Sequence, residues 1–109
     1  MYHQSVTIEV VREAVLRGHW AMTRHAREQS GKRRIGAESV VFALASGEVL
    51  EEYPGDPRGP SALVLGFTID GRAIHAVCAV DLGGTLLIVT VYEPRPPRWR
   101  DERTRSQSR

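Results

Sequence analysis

Cysteine is nearly missing from this chain. Cys78 stands alone, so no intrachain disulfide can form, and a reducing cytoplasm is the expected compartment. The four histidines do not stand with Cys78 or with one another at zinc-ligand spacing, so neither a structural metal nor another cofactor is expected. Long apolar runs are absent too: none approaches the ~20 residues that a membrane span requires. The start, Met1-Tyr2-His3-Gln4-Ser5, lacks the basic and apolar segments of a secretory leader. What is left is one small domain of 109 residues, 41% hydrophobic, with a single core and a modest stability margin.

A strong net charge is also missing, but the small value of +2 hides an asymmetry. From Pro94 to Arg109 six arginines oppose Asp101 and Glu102, giving +4 and leaving −2 for the body. Basic character is focused in this tail and in a cluster formed by Arg24, Arg27, Lys32, Arg33 and Arg34. Focused cations suit nucleic acid or an acidic partner, and they equally suit a solvated face or a disordered tail.

Periodicity predicts three helices. Ser5 can cap a first, from about Val6 to Arg17, with Val6, Val10, Val11, Ala14 and Val15 on one face and Gly18 closing it. His19-Trp20-Ala21-Met22 reads as a connector. Thr23 opens a second helix, poor in apolar residues, which ends by Ile35-Gly36; a third runs from about Ala37 to Ser46. The period then changes to two. Glu48–Tyr53, Ser61–Ile69, Arg72–Val80 and Thr85–Tyr92 read as strands, separated by the Pro54–Pro60 loop and by turns at Asp70-Gly71 and Asp81–Gly84. Short connections make this an α+β fold, with three N-terminal helices packed on one face of a four-stranded antiparallel sheet over residues 1–93. The Pro- and Arg-rich stretch 94–109 is expected to be largely disordered apart from Trp99.

A two-residue turn at Asp70-Gly71 would set Phe67 opposite Ile74 and Gly66 opposite His75. Leu63, Leu65, Phe67 and Ile69 would then share a core face with Ile74, Ala76, Cys78, Leu87, Val89 and Val91. Val64, Gly66, Thr68, Ala73, His75, Thr90 and Tyr92 would line an open face. On the core side Cys78 is a small hydrophobe rather than a nucleophile.

The chemistry that these residues permit is acid–base cleavage of RNA without a metal. His25 in the first turn of the second helix and His75 on a strand would act as base and acid, with arginine on the phosphate. Each histidine has an ordinary alternative, an exposed His25 and a satisfied, semi-buried His75. Tyr92 and Trp99 could stack bases.

The succession His25-Ala26-Arg27, Arg33, Ile35, Gly47-Glu48-Val49, Glu52-Tyr53-Pro54, Leu65-Gly66, Asp70-Gly71-Arg72, His75 and Thr90-Val91-Tyr92-Glu93-Pro94 resembles the DUF4258 family, up to about Trp99. Ser30 departs from the bulky apolar residue usual there, and Gly36 from the usual serine cap. The resemblance implies a RelE-like or barnase-like fold. It also implies a toxin-type, metal-independent endoribonuclease acting on RNA under the control of an antitoxin or immunity protein. Its site would hold His25, His75, Arg33 and Tyr92, with Thr90 a candidate beside them, and the charge of Arg24, Arg27, Lys32 and Arg34 makes these the expected nucleic-acid contacts. The alternative is a non-catalytic module that binds nucleic acid or protein.

Overall fold

A computed structural model describes residues 5–106. Residues 1–4, read above for a leader, and the last residue of the basic tail, Arg109, lie outside the described residues.

Three helices form as their caps dictate. In α1 (Ile8–Arg17) the cap is Thr7 rather than Ser5, its side chain accepting from the Val10 amide at 3.2 Å, and Gly18 closes the helix at φ 72°. Thr23 caps α2 (Arg24–Lys32), and α3 (Ala37–Ala45) follows after Gly36. The sheet corrects the expectation of four antiparallel strands. Five strands, β1 (Trp20–Met22), β2 (Glu48–Tyr53), β3 (Ser61–Phe67), β4 (Ala73–Val80) and β5 (Leu86–Tyr92), lie in the order β1-β5-β4-β3-β2. The short segment read as a connector is β1, which runs parallel to β5 with Trp20, Ala21 and Met22 beside Leu86, Leu87 and Ile88. A strand therefore separates α1 from α2, and the sheet is mixed.

The faces also need correction. Gly66 pairs with Ile74 and Leu65 with His75, one residue out of the expected register. The cause is the loop, which uses three residues where two were expected. Gly71 donates to the Thr68 carbonyl at 2.9 Å and takes φ 86°, and Thr68 pairs with Arg72 across it. This is a type I turn closed by a left-handed glycine. The next turn repeats it, with Gly84 (φ 86°) donating to Asp81 and Asp81 paired with Thr85. A one-residue slip moves every side chain to the opposite face.

The helices therefore cover Ala62, Val64, Gly66, Ile74, Ala76 and Cys78, the side with many small residues, together with Leu86, Ile88 and Val91. Leu87 does not join them, and a bulge at Val89 restores the register further along β5. Leu63, Leu65 and Phe67 lie on the other face, with His75, Thr90 and Tyr92. Phe67, expected in the core, is 41% exposed, and Thr68 falls on the helix side, away from His75.

That second face is not open. Residues 94–106, expected as a largely disordered tail, fold back over it as a strap. Trp99 is buried, and the strap has its own hydrogen bonds, Arg100 to the Thr104 carbonyl (2.8 Å) and Ser106 to the Arg98 carbonyl (2.8 Å).

Candidate nucleic-acid interface

Helix α2 lies along the free edge of β5. Where β1 ends, the β5 backbone would be left without partners. Thr23 supplies one by donating from Oγ1 to the Val89 carbonyl (2.9 Å), while the same oxygen caps the helix at the Ala26 amide (3.1 Å). Gln29 supplies another, its Oε1 accepting from the Val91 amide at 2.8 Å. Only Ala26 and Ser30 of α2 are buried, so the rest of the helix is an exposed ridge.

That ridge is cationic. Arg24, Arg27, Lys32, Arg33 and Arg34 are all exposed, as is His25 in the first turn. Arg24 pairs with Glu28 (3.4 Å), and Arg33 reaches a Glu93 oxygen (3.5 Å) already held by Arg95 (2.9 Å). Arg27 donates to the Met22 carbonyl at 3.3 Å. Among the described residues, Arg27, Lys32 and Arg34 form no ion pair.

The exit of α2 is a Schellman turn. Ile35 donates to the Ser30 carbonyl (2.9 Å) and Arg34 to that of Gly31 (3.1 Å), with Ile35 buried beneath. The left-handed position is filled by Arg34, at φ 57°, where a side chain costs about 1–2 kcal/mol. Arg72, from the β3–β4 hairpin, offsets this by donating to the carbonyls of Arg33 (2.8 Å) and Arg34 (3.2 Å). Arg72→Ala is expected to cost about 1–2 kcal/mol, the lower part of the range for charge-assisted bonds because the side chain is partly solvated. The urea midpoint measures this. Arg72→Lys should rescue it only in part, since an ammonium does not present a planar fork to two carbonyls.

The structure does not bring the two histidines together. His25 stands exposed on α2, on the helix side, whereas His75 is fully buried on the other face beneath the strap. The His75 Nδ1 lies 3.1 Å from the Tyr92 hydroxyl, its Nε2 lies 2.7 Å from the Glu102 carbonyl, and its ring meets Trp99 perpendicularly at 4.4 Å. Tyr92 pairs with His75 and Thr90 with Val77, so these two candidates do share its face, while Arg33 does not.

Residues 22–93 match the family described as "Domain of unknown function (DUF4258)". The chain belongs to the DUF4258 family. No curated protein and no solved structure matches it.

The DUF4258 match spans the cationic ridge, Arg72, His75, Thr90 and Tyr92, but stops before the strap and leaves α1 outside. It assigns no activity. Several residues that build the site carry no clear sequence signal. Arg72 stands within the Asp70-Gly71-Arg72 motif, yet nothing local says that its guanidinium reaches the helix exit. Gln29 has no signal at all.

Glu48 and Glu51 anchor the strap, Glu48 to Arg103 (3.0 Å) and Glu51 to Arg105 (2.8 Å), and these arginines hold both carboxyls below the usual carboxylate range. Burial, and after it the bond to Glu51, pushes the Tyr53 phenol up to about 12. Two of the tail cations counted toward nucleic acid are thus satisfied within the fold. Burial pushes the Cys78 thiol up to about 12, which leaves it unreactive. Among the described residues no group of three His, Cys, Asp or Glu side chains is arranged to hold a metal ion.

Proposed function

We propose that this DUF4258 domain is an RNA-binding module whose contact surface is the α2 ridge and its exit. One observation carries the reading. Five cations project from a single exposed helix and its turn, three of them without an ion pair among the described residues, on a backbone clamped at both ends by Thr23 and Arg72. A fixed row of cations matches a phosphate backbone, whereas scattered surface charges pair locally and gain little from it.

The test uses fluorescence anisotropy with single-stranded RNA at 50–200 mM salt (an assay range, about where counterion release dominates). The variant combines Lys32→Gln, Arg33→Gln and Arg34→Asn; asparagine is chosen because it tolerates the left-handed backbone. Affinity is expected to fall by roughly 10²-fold, and the log–log salt slope by about 2, because three cations no longer neutralise phosphates of the single strand. An unchanged slope would remove the ridge from the interface.

A second reading, metal-independent cleavage of RNA held in check by a partner protein, draws on one feature. His25 is exposed on the same ridge, beside Arg24, so a phosphate lying there would meet an imidazole. It would need His25 to work without His75. RNA cut in EDTA by the wild type, and left intact by His25→Ala that still binds it, would favour this reading over simple binding.

A further inference from the structure

The bonding of His75 places one of its protons. A backbone carbonyl can only accept, so Nε2 carries a proton and donates to Glu102, and in the neutral ring that burial favours Nδ1 accepts from the Tyr92 hydroxyl. One partner belongs to the sheet and the other to the strap. The imidazole therefore joins the two, and it has no exposed surface.

The rest of the strap's attachment is weaker. The side chains of the Arg103–Glu48 pair are about half exposed (50% and 51%), and those of Arg105–Glu51 are 52% and 29% exposed, so solvent screens both. Arg105 also lies over the Trp99 ring at 4.7 Å. Closure thus depends on Trp99 and on the imidazole against which it packs.

We propose that residues 94–106 are a proton-gated cover: a second proton on His75 opens the strap and exposes the sheet face that carries Leu63, Leu65, Thr90 and Tyr92.

That proton must go to Nδ1. Tyr92 would then have to turn and accept instead of donating, while a cation forms in a site closed to water. The groups facing the ring pull in both directions. Glu51 on β2 and Glu102 on the strap favour the cation, but Glu51 is already held by Arg105 and Tyr53, and Glu102 by Arg103. Arg105 opposes it, Tyr92 is itself held neutral by burial, and desolvation outweighs the rest, so the imidazole is depressed below its ordinary 6.5.

The direction of the switch follows from linkage. With the strap open the ring titrates normally, and with it closed it resists protonation. The closed form is therefore fully favoured above about pH 6.5 and loses ground as pH falls, by up to tenfold per pH unit. Glu48 and Glu51 stay charged through this window, because their arginines hold them below 4.5. Their ion pairs do not open the strap there.

The test is NMR on the ¹⁵N-labelled full chain between about pH 7.5 and 5, the span that brackets an ordinary histidine. At the upper end the His75 ring should show the neutral Nε2–H form. Below about pH 6.5 the open population, read from the exchange of the Trp99 indole signal with its solvent-exposed position, should rise by up to tenfold per pH unit, while β3–β5 amides stay in place. In His75→Gln, whose amide can still donate to Glu102 but does not titrate, Trp99 should stay buried throughout. An open population that does not rise as pH falls, or a ring that protonates with Trp99 unmoved, overturns the proposal in the wild type alone. Equal movement of Trp99 in His75→Gln and wild type overturns it as well.

Discussion

Gly66→Ala is expected to cost more than about 3 kcal/mol, a large drop in the urea midpoint, and Gly66→Val to prevent folding. A Cβ at this position would lie 2.2 Å from the Ala43 carbonyl oxygen and 2.6 Å from its carbon. These are backbone atoms of α3, so no rotamer change relieves the clash. The helix would have to lift from the sheet and give up the burial of Val40 and Leu44. Overpacking usually costs 1–3 kcal/mol, and a displaced helix adds to it; a loss above about 3 kcal/mol takes a large part of a small domain's 5–15. Gly47 supports the same close approach, its Cβ position lying 2.4 Å from the Leu65 carbonyl oxygen. Urea denaturation followed by circular dichroism measures the effect. Gly55→Ala, with nothing within 4 Å, is the control and should be nearly neutral. A Gly66→Ala protein as stable as this control would show that α3 does not sit on the sheet as described.

Trp99→Ala should cost about 3–5 kcal/mol, the usual effect of emptying a buried tryptophan site. Trp99 is 2% exposed and packs on His75, and it supports the Arg105 guanidinium above it. Its loss uncovers the Leu63 and Leu65 face and frees Arg103 and Arg105 from a fixed geometry. The urea midpoint should drop strongly, and amides of residues 95–106 should lose hydrogen-exchange protection before those of β3–β5. An unchanged midpoint would mean that the strap contributes nothing to the fold. Because Trp99 lies outside the residues matched to the family, this also tests whether the domain's stability extends beyond them.

The legible parts of this chain are those with local causes. Thr23 as a cap, Gly18 as a stop, the exposed cations of α2 and the buried Cys78 each depend on a few neighbouring residues, and the structure has them where the pattern puts them. The shared face of His75, Thr90 and Tyr92 also follows from strand parity, although two deviations cancel to produce it. The three-residue loop Leu82–Gly84 shifts the β4–β5 register and a bulge at Val89 restores its parity near Tyr92, whereas the shift made by the three-residue β3–β4 loop is not offset and turns β3 over. A loop one residue longer leaves almost no trace in composition, since Asp70-Gly71 serves both lengths. The misplaced core follows from a further assumption, that the bulkier face must meet the helices. Here Gly66, Ala62 and Ala76 let α3 approach the sheet closely, and Leu63 and Leu65 serve the strap instead.

By itself the sequence determined an α+β fold, three helices with the Thr23 cap and the Gly18 stop, most strand segments and a cationic second helix, because each rests on periodicity or on contacts within a few residues. Only the tertiary structure decided that Trp20–Met22 is a strand, since three residues are too few for a period and its pairing with β5 spans the chain. It also decided which sheet face the helices cover, that Arg72 clamps the exit of α2, and that the Pro- and Arg-rich tail is ordered. Trp99, Arg103 and Arg105 gain their partners only once β2 and β4 stand side by side with β3, and no local pattern encodes a partner more than 20 residues away.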